Sequence, residues 1–562
     1  MIAHRAPISG IAAHGGRLVA TAGYDNQVVV WDAGRKAPLA RALHDHLANQ
    51  VAFSPDGRLL VSTSSDHTAR LWSVPELKLL AVMPDHLDDV EMAVFHPHAE
   101  RIATASRDHH VRVFDFEGRL QHRFEGHAAD VISVAWSEDG REVLSSSDDG
   151  TIKRWSLVGA GLVEDIDLGG IETDTIVITR GGRIYAGNDE GEIIAISGSG
   201  RTRHPAHDAG IKRLVYEPAE NRLVSLSYDR TLTVWSTAGG LELLARATMP
   251  AEIWPRSCAF LDSRTLVFAT FGSSYATYHI DSARWELDGV AATQGVNAVA
   301  VHAGRQVTVG DAGVVRIAGK APLELGSLCN FLTPAGRRVI TGGQMGRVMD
   351  ALSGDLLHQH RSPLNCGAAF LRQGVPHVVV GTYTGEGLVF SIGGDGRVDR
   401  VATLPLHANA VKAVAVSADV LFSVCADTGA SWFSTRDFTE LGRVAQAHQR
   451  IANGCAALPG GRFVSVSRDL KLRIWDGLSA QVFSTPHDRS IKCVAASADG
   501  RLVATGSYFG TVAVFSVDES RWVHVVRPTA AGISSLCFDP ERGCFLAGSY
   551  DGEVYDVLPS QG

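Results

Sequence analysis

Residues 61–72 read VSTSSDHTARLW, residues 143–155 VLSSSDDGTIKRW and residues 223–235 LVSLSYDRTLTVW. Each is a short β-favouring run, a turn carrying an Asp, and an alternating run that ends on a Trp. The Asp-to-Trp spacing is six in all three: Asp66 to Trp72, Asp149 to Trp155 and Asp229 to Trp235. A fixed internal period dictates architecture before any single element does. In this register the terminal position falls on Trp31, Trp72, Phe114, Trp155, Ile196, Trp235, Tyr278, Ile317, Ala351, Phe390, Phe433, Trp475, Phe515 and Val557. The step is about 40 residues, the length of four short strands and their turns, one propeller blade. No window shows sustained helical periodicity, and 58 Gly are too many for a helical solenoid.

Composition agrees with a folded chain of more than one domain. It has 562 residues, 45% apolar and 20% charged, with a net charge of −9. That balance disfavours a uniformly basic nucleic-acid surface. No apolar run approaches the ~20 residues of a membrane helix, and the N-terminal MIAHRAPISG lacks the apolar stretch of a secretory signal. A cytoplasmic location is expected. The 8 Cys include no C-x-x-C pair and mostly sit in apolar segments, which predicts buried thiols rather than a zinc or redox site. Arg outnumbers Lys 44 to 8, as expected of a GC-rich, bacterial genome.

Eight repeats also carry a His 26 to 28 residues before the terminal position: His4, His46, His86, His127, His207, His407, His448 and His487. Asp45-His46, Asp85-His86 and Gly126-His127 open repeats, and Trp31-Asp32 and Trp475-Asp476 close them. In these features the chain resembles the WD-repeat (Trp-Asp) family of β-propellers over nearly its whole length. The resemblance implies an all-β fold of two tandem seven-bladed propellers, about fourteen four-stranded blades, since one ring holds four to eight. The rings are expected at residues 1–290 and 291–562. Repeats in about 240–400 are degenerate: those ending at Tyr278, Ile317, Ala351 and Phe390 lack the opening His, and of these only the Ile317 repeat keeps its Asp, Asp311. His4 already precedes an innermost strand and five residues follow Val557. The last blade is therefore expected to be three-stranded or completed by a partner, an exposed edge being an aggregation liability.

Recurring Ser, His and Asp invite a hydrolase reading, but repetition argues otherwise. His, Asp and Trp occur together in five repeats: His4/Asp25/Trp31, His46/Asp66/Trp72, His127/Asp149/Trp155, His207/Asp229/Trp235 and His448/Asp469/Trp475. By the resemblance, His, a strand Ser or Thr, Asp and the Trp indole form one network that satisfies half-buried polar groups and pins the connecting loop. No phosphate-binding glycine motif is present, and Gly319-Lys320 is followed by Ala321. His44-Asp45-His46, His96-Pro97-His98, His109-His110 and His358-Gln359-His360 do not make a metal-ligand set. No catalytic residue, metal or cofactor is expected.

The residue before the register Asp points to partners. Five of the 10 Tyr occupy this position: Tyr24, Tyr228, Tyr383, Tyr508 and Tyr550, joined by Arg107, Arg468 and Phe271. By the resemblance it lies on the face where partners dock beside the channel, and Tyr and Arg dominate interface hot spots; a Tyr there also packs over a neighbouring blade. Charge is uneven as well. Residues 1–290 carry −11 and 291–562 carry +2, and residues 81–200 alone carry −13, including Asp85, Asp88, Asp89, Glu91, Asp130, Glu164, Asp165 and Asp167. This sector is either a solvated face or a docking surface for a basic partner. The sequence thus predicts a non-enzymatic protein-protein interaction scaffold. The alternative is a hydrolase-like site in a channel, drawing on Glu252, Trp254, Arg256 and His302; a nucleic-acid module is less favoured by charge.

Overall fold

The computed structural model describes residues 2–159, 161–198 and 200–559. Among the described residues there is no helix, and consecutive strands form fourteen antiparallel meanders. The first sheet comprises Ile8–His14, Leu18–Gly23, Gln27–Asp32 and Ala37–Leu43. Thirteen of the fourteen terminal positions read from the sequence lie in the third strand of a sheet, and Ala351 lies one residue past Arg347–Asp350. The degenerate repeats therefore keep the period although their polar signature has gone. No helix long and apolar enough to cross a membrane occurs among the described residues.

Burial explains why each strand has its composition. Second strands such as LVATAG (Leu18–Gly23) and EVLSSS (Glu142–Ser147) are buried almost end to end. They are covered on both faces by adjoining sheets, so they read as continuous runs of small and branched residues. Fourth strands such as Ala37–Leu43 alternate between half-buried and exposed, as a strand with one wet face does. Apolar clusters join neighbouring sheets: Ala103, Val113 and Phe124 of the third meet Val131, Val134 and Trp155 of the fourth.

Contacts divide the chain into two compact units between Thr293 and Gln294. Each contains seven sheets and each closes on itself. In the first unit, Ile11 and Trp31 pack against Val267 and Tyr275 of the seventh sheet, and the Ile11 N–H donates to Ser257 Oγ at 3.2 Å. In the second, Val299 packs on Cys544 and Leu546, its N–H donates to Ser535 Oγ at 2.9 Å, and Ser534 Oγ donates to the Val296 carbonyl.

Every innermost strand also carries a bulge near its start. Pairing jumps from Ile8 to Gly10, from Ala48 to Gln50, from Ile211 to Arg213 and so on through all fourteen sheets. One residue is skipped in each case except the seventh sheet, where pairing resumes only at Cys258 after Ile253. A bulge re-aims the extra side chain away from the sheet's regular alternation. Here it repeats once per blade beside the channel.

Among the described residues the fourteenth sheet has three strands, Ile533–Asp539, Cys544–Ser549 and Val554–Val557. Its edge strand places exposed Asp556 at the position that buried Val514 fills in the thirteenth sheet, and Asp556 pairs with Arg542. A charge in mid-edge opposes pairing with another strand. Asp556→Val is expected to promote concentration-dependent self-association without lowering stability, which sedimentation velocity reads directly; a variant that stays at the wild-type sedimentation coefficient would contradict this role.

Candidate interaction site at the channel mouths

The His, Asp and Trp of a repeat meet on a hydroxyl in the second strand. His4 Nε2 lies 2.7 Å from Thr21 Oγ1, which also accepts the Trp31 indole N–H at 2.9 Å, while His4 Nδ1 lies 3.0 Å from Asp25. His127 joins Ser145 and Asp149 at 2.8 Å each, with Trp155 donating to Ser145 at 2.9 Å. His207 repeats the arrangement with Ser225, Asp229 and Trp235.

Two of the five sets expected from the sequence need correction. In the second sheet His44, not His46, approaches Asp66 at 2.9 Å and Ser62 at 2.7 Å, and Trp72 donates to Ser62. His44 lies 22 residues before Asp66 and 28 before Trp72, matching His127 and His207 on both counts; only the Asp-His pair at 45–46 favours His46. In the twelfth sheet His448 and Trp475 share Ser465, but Asp469 is held by Arg473 at 2.6 Å instead of by His448.

Burial decides how these groups titrate. It alone would raise the Asp229 carboxyl, but hydrogen bonds and the charge of His207 outweigh it and hold the group at about 2. Burial pulls His487 down to about 4, and burial together with Arg473 does the same to His448. Cys258, Cys366 and Cys493 are pushed up to about 12 by burial, which leaves inert thiols.

The bulges equip the mouth of the first unit with Ser9, Asn49, Glu91, Ile132, Asp174 and Lys212, together with the Trp254–Ser257 insertion. Glu91 accepts from Arg107 at 2.5 Å and from Arg256 of the seventh sheet at 3.1 Å. Arg107 also binds Asp130 at 2.5 Å. Lys212 binds Asp174 at 2.5 Å and also Asp189, and its ammonium sits 5.1 Å above the Tyr228 ring. Tyr24 meets Trp254 edge-on at 5.1 Å.

Two of the expected contact residues have close partners within the unit. Phe271 is only 5% exposed and stacks on Trp254 at 5.4 Å, and Arg107 is clamped between two carboxylates. The acidic sector is not one surface either. Asp88, Asp89 and Glu91 are buried and Asp130 is paired, while Glu164, Asp165 and Asp167 lie exposed on the outer strand Gly161–Asp167.

The second unit differs in its bulge residues. Asn297, Asn330, Asn365 and Asn453 each donate to a carbonyl of the next sheet, at Cys329, Leu364, Val411 and Ile491, over 2.7–3.2 Å. Ser534 closes the ring onto Val296, and Lys412 and Lys492 stand at the remaining two positions. Lys412 lies 5.5 Å above Tyr383 and Lys492 lies 5.8 Å above Tyr508, which stacks on Tyr550 at 6.4 Å with rings 13° apart. These tyrosines and Arg468 are half-exposed.

The Ser and Thr hydroxyls of the networks are sealed and already bound by Trp and His. Of the residues considered for a channel site, Trp254 is buried, Arg256 is tied to Glu91, and His302 belongs to the other unit. Two groups of ligand-type side chains do converge, with donor atoms within 4.8 Å: His407, Cys425 and Asp427, and His67, Asp88 and Asp89. The first is the repeated network with a thiol substituted for a hydroxyl. Cys425 Sγ accepts the Asp427 N–H, as Ser147 Oγ accepts that of Asp149.

Two outcomes follow from this geometry. Unfolded His titrates near 6.5, so the unfolded chain takes up protons between about 6.5 and about 4 that folded His448 and His487 refuse. Their contribution is present above pH 6.5 and is lost as pH falls toward 4. His487→Gln, which keeps a nitrogen for Thr505, is expected to flatten the stability profile across that window, measured by urea unfolding at a series of pH values. His44→Ala is expected to cost about 1–3 kcal/mol by leaving Asp66 and Ser62 short of a partner, measured in the same way at pH 7.

A family model described as "WD domain, G-beta repeat" matches residues 1–32, 39–73, 77–115, 118–156, 198–236, 479–516 and 521–555. Among curated proteins, nuclear distribution protein PAC1 of Arthroderma benhamiae is 32% identical over 171 residues, 26% of this chain and 37% of that protein. Target of rapamycin complex subunit wat1 of Schizosaccharomyces pombe is 26% identical over 238 residues, 39% of this chain and 74% of that protein. Small ribosomal subunit protein RACK1y of Oryza sativa subsp. japonica is 29% identical over 152 residues, 25% and 45% of the two chains. The chain spans little more than a third of the PAC1 relative's length. The matched segments make up rather less than half of the chain, and in them it is similar to the WD repeat.

Proposed function

We propose that the chain is a non-enzymatic scaffold in the cytoplasm of a bacterial cell. In this reading residues 1–290 and 291–562 are two tandem seven-bladed propellers whose channel mouths receive protein partners within a multiprotein complex. Tyr24 and Tyr228 serve the first mouth, and Tyr383, Arg468, Tyr508 and Tyr550 serve the second. The observation that carries the reading is the stacked Tyr508–Tyr550 pair beside Lys492: rigid, half-exposed aromatic area with a cation against it. Such groups combine large contact area with polar handles and dominate measured interfaces. Closed rings hold them on a frame with few open sheet edges, which suits recognition. Two relatives are described by name as a subunit of a target of rapamycin complex and a protein of the small ribosomal subunit, both assemblies. We extend membership of an assembly, without its partners, to this chain.

Affinity purification with mass spectrometry, repeated on the Tyr508→Ala/Tyr550→Ala chain, tests the docking face. Loss of about 2 kcal/mol or more at a hot spot, roughly 30-fold in affinity, is expected to remove at least one partner while the melting temperature stays unchanged. Undiminished recovery of every partner would falsify the assignment.

A further inference from the structure

Arg213 follows the bulge residue Lys212 on the innermost strand Ile211–Glu217 of the sixth sheet. Its guanidinium Nη1 reaches Met92 Sδ of the third sheet at 3.8 Å. Sheets three and six of a seven-sheet ring are not neighbours, so this side chain crosses the channel of the first unit. A thioether is a weak acceptor, and among the described residues Arg213 Nε is sealed from solvent and has no hydrogen-bond partner. The ionisable groups that act on it are the Cys258 thiol, kept neutral by burial, and the like charge of Arg256. Glu91, the carboxylate above it at the mouth, is already shared by Arg107 and Arg256.

A second sealed atom without a partner belongs to the same layer of post-bulge residues. Gln50, like Arg213, Met92, Ser133 and Thr175, is the residue directly after its strand's bulge. It is 7% exposed, and its Oε1 is sealed without a partner. Side-chain amides turn readily, which would present the NH2 in its place. Ser133 Oγ donates to Met92 Sδ at 3.4 Å, so it does not answer Arg213.

An arginine stays charged at any ordinary pH and its fork fits two oxygens side by side. Arg213 is half-buried, with its Nε sealed, so the group is poorly satisfied where it stands and an anion joining it would be stabilising. We infer that the channel of the first unit binds one small oxyanion, inorganic or carboxylate, against Arg213, with the Gln50 amide as a second donor. This site is independent of partner docking at the mouths.

The test uses the full chain. Melting temperature is followed while sodium sulfate or sodium acetate replaces sodium chloride at constant ionic strength. A saturable rise of about 3 °C at tenfold excess over Kd is expected, absent in Arg213→Met, whose melting temperature in chloride is no lower than wild type. Acetate acting and sulfate not would assign a carboxylate; the reverse would assign a tetrahedral inorganic anion. An equal or non-saturating gain in both chains would overturn the site, because general salting-out requires no Arg213. Should Arg213→Met fail to fold, crystals of the wild-type chain grown in selenate decide: an anomalous peak beside the Arg213 guanidinium supports the site, and its absence rejects it.

Discussion

A hydroxyl sealed in the second strand, held at once by an imidazole and an indole, is the point from which the first, second, fourth, sixth and twelfth sheets are organised. It ties the loop before the innermost strand, through the His, to the end of the third strand, through the Trp. The Asp then collects the backbone N–H groups of that loop and of its own turn, as Asp149 does with Ala128 and Thr151. Register, loop position and turn geometry are fixed together. A one-residue slip would turn every inward side chain outward, so a small polar device governs a large apolar core.

That device was legible in the sequence because turn chemistry fixes its spacing. Six residues from Asp to Trp is the length of a tight turn plus one strand, and it marks Asp66, Asp149 and Asp229 alike. His46 was expected because it completes an Asp-His opening pair, although His44 stands at the spacing of His127 and His207 from both the Asp and the Trp. Phe271 was misplaced for a different reason. Its sheet carries a four-residue insertion, Trp254 to Ser257, and Trp254 folds over it. For Arg107, composition carries no sign that Glu91 and Asp130 converge on it from two other segments.

The bulge escaped the sequence reading altogether, although its trace is present. In the innermost strands a buried residue such as Ile8, Val90 or Ile211 precedes a polar one that breaks the expected alternation. Because that extra residue is aimed at the channel, it varies where the rest of the repeat does not. Asn is used four times in the second unit, whereas the first mixes Glu, Asp and Lys. The same scaffold thus gives two mouths of different charge without a change of fold, which is how function is grafted onto a shared architecture.

The asparagine clasps of the second unit have a mechanical consequence. Each passes load from one sheet to the next at the inner rim, so together with Ser534 they act as links in a hoop. At the two lysine positions other side chains span the joint: Ser417 Oγ donates to the Leu458 carbonyl at 2.6 Å between the eleventh and twelfth sheets, and Cys493 Sγ donates to the Ile533 carbonyl at 3.8 Å between the thirteenth and fourteenth. Under radial strain the asparagine-linked joints hold longest, so sheets twelve and thirteen, fastened by Asn453, move as one piece.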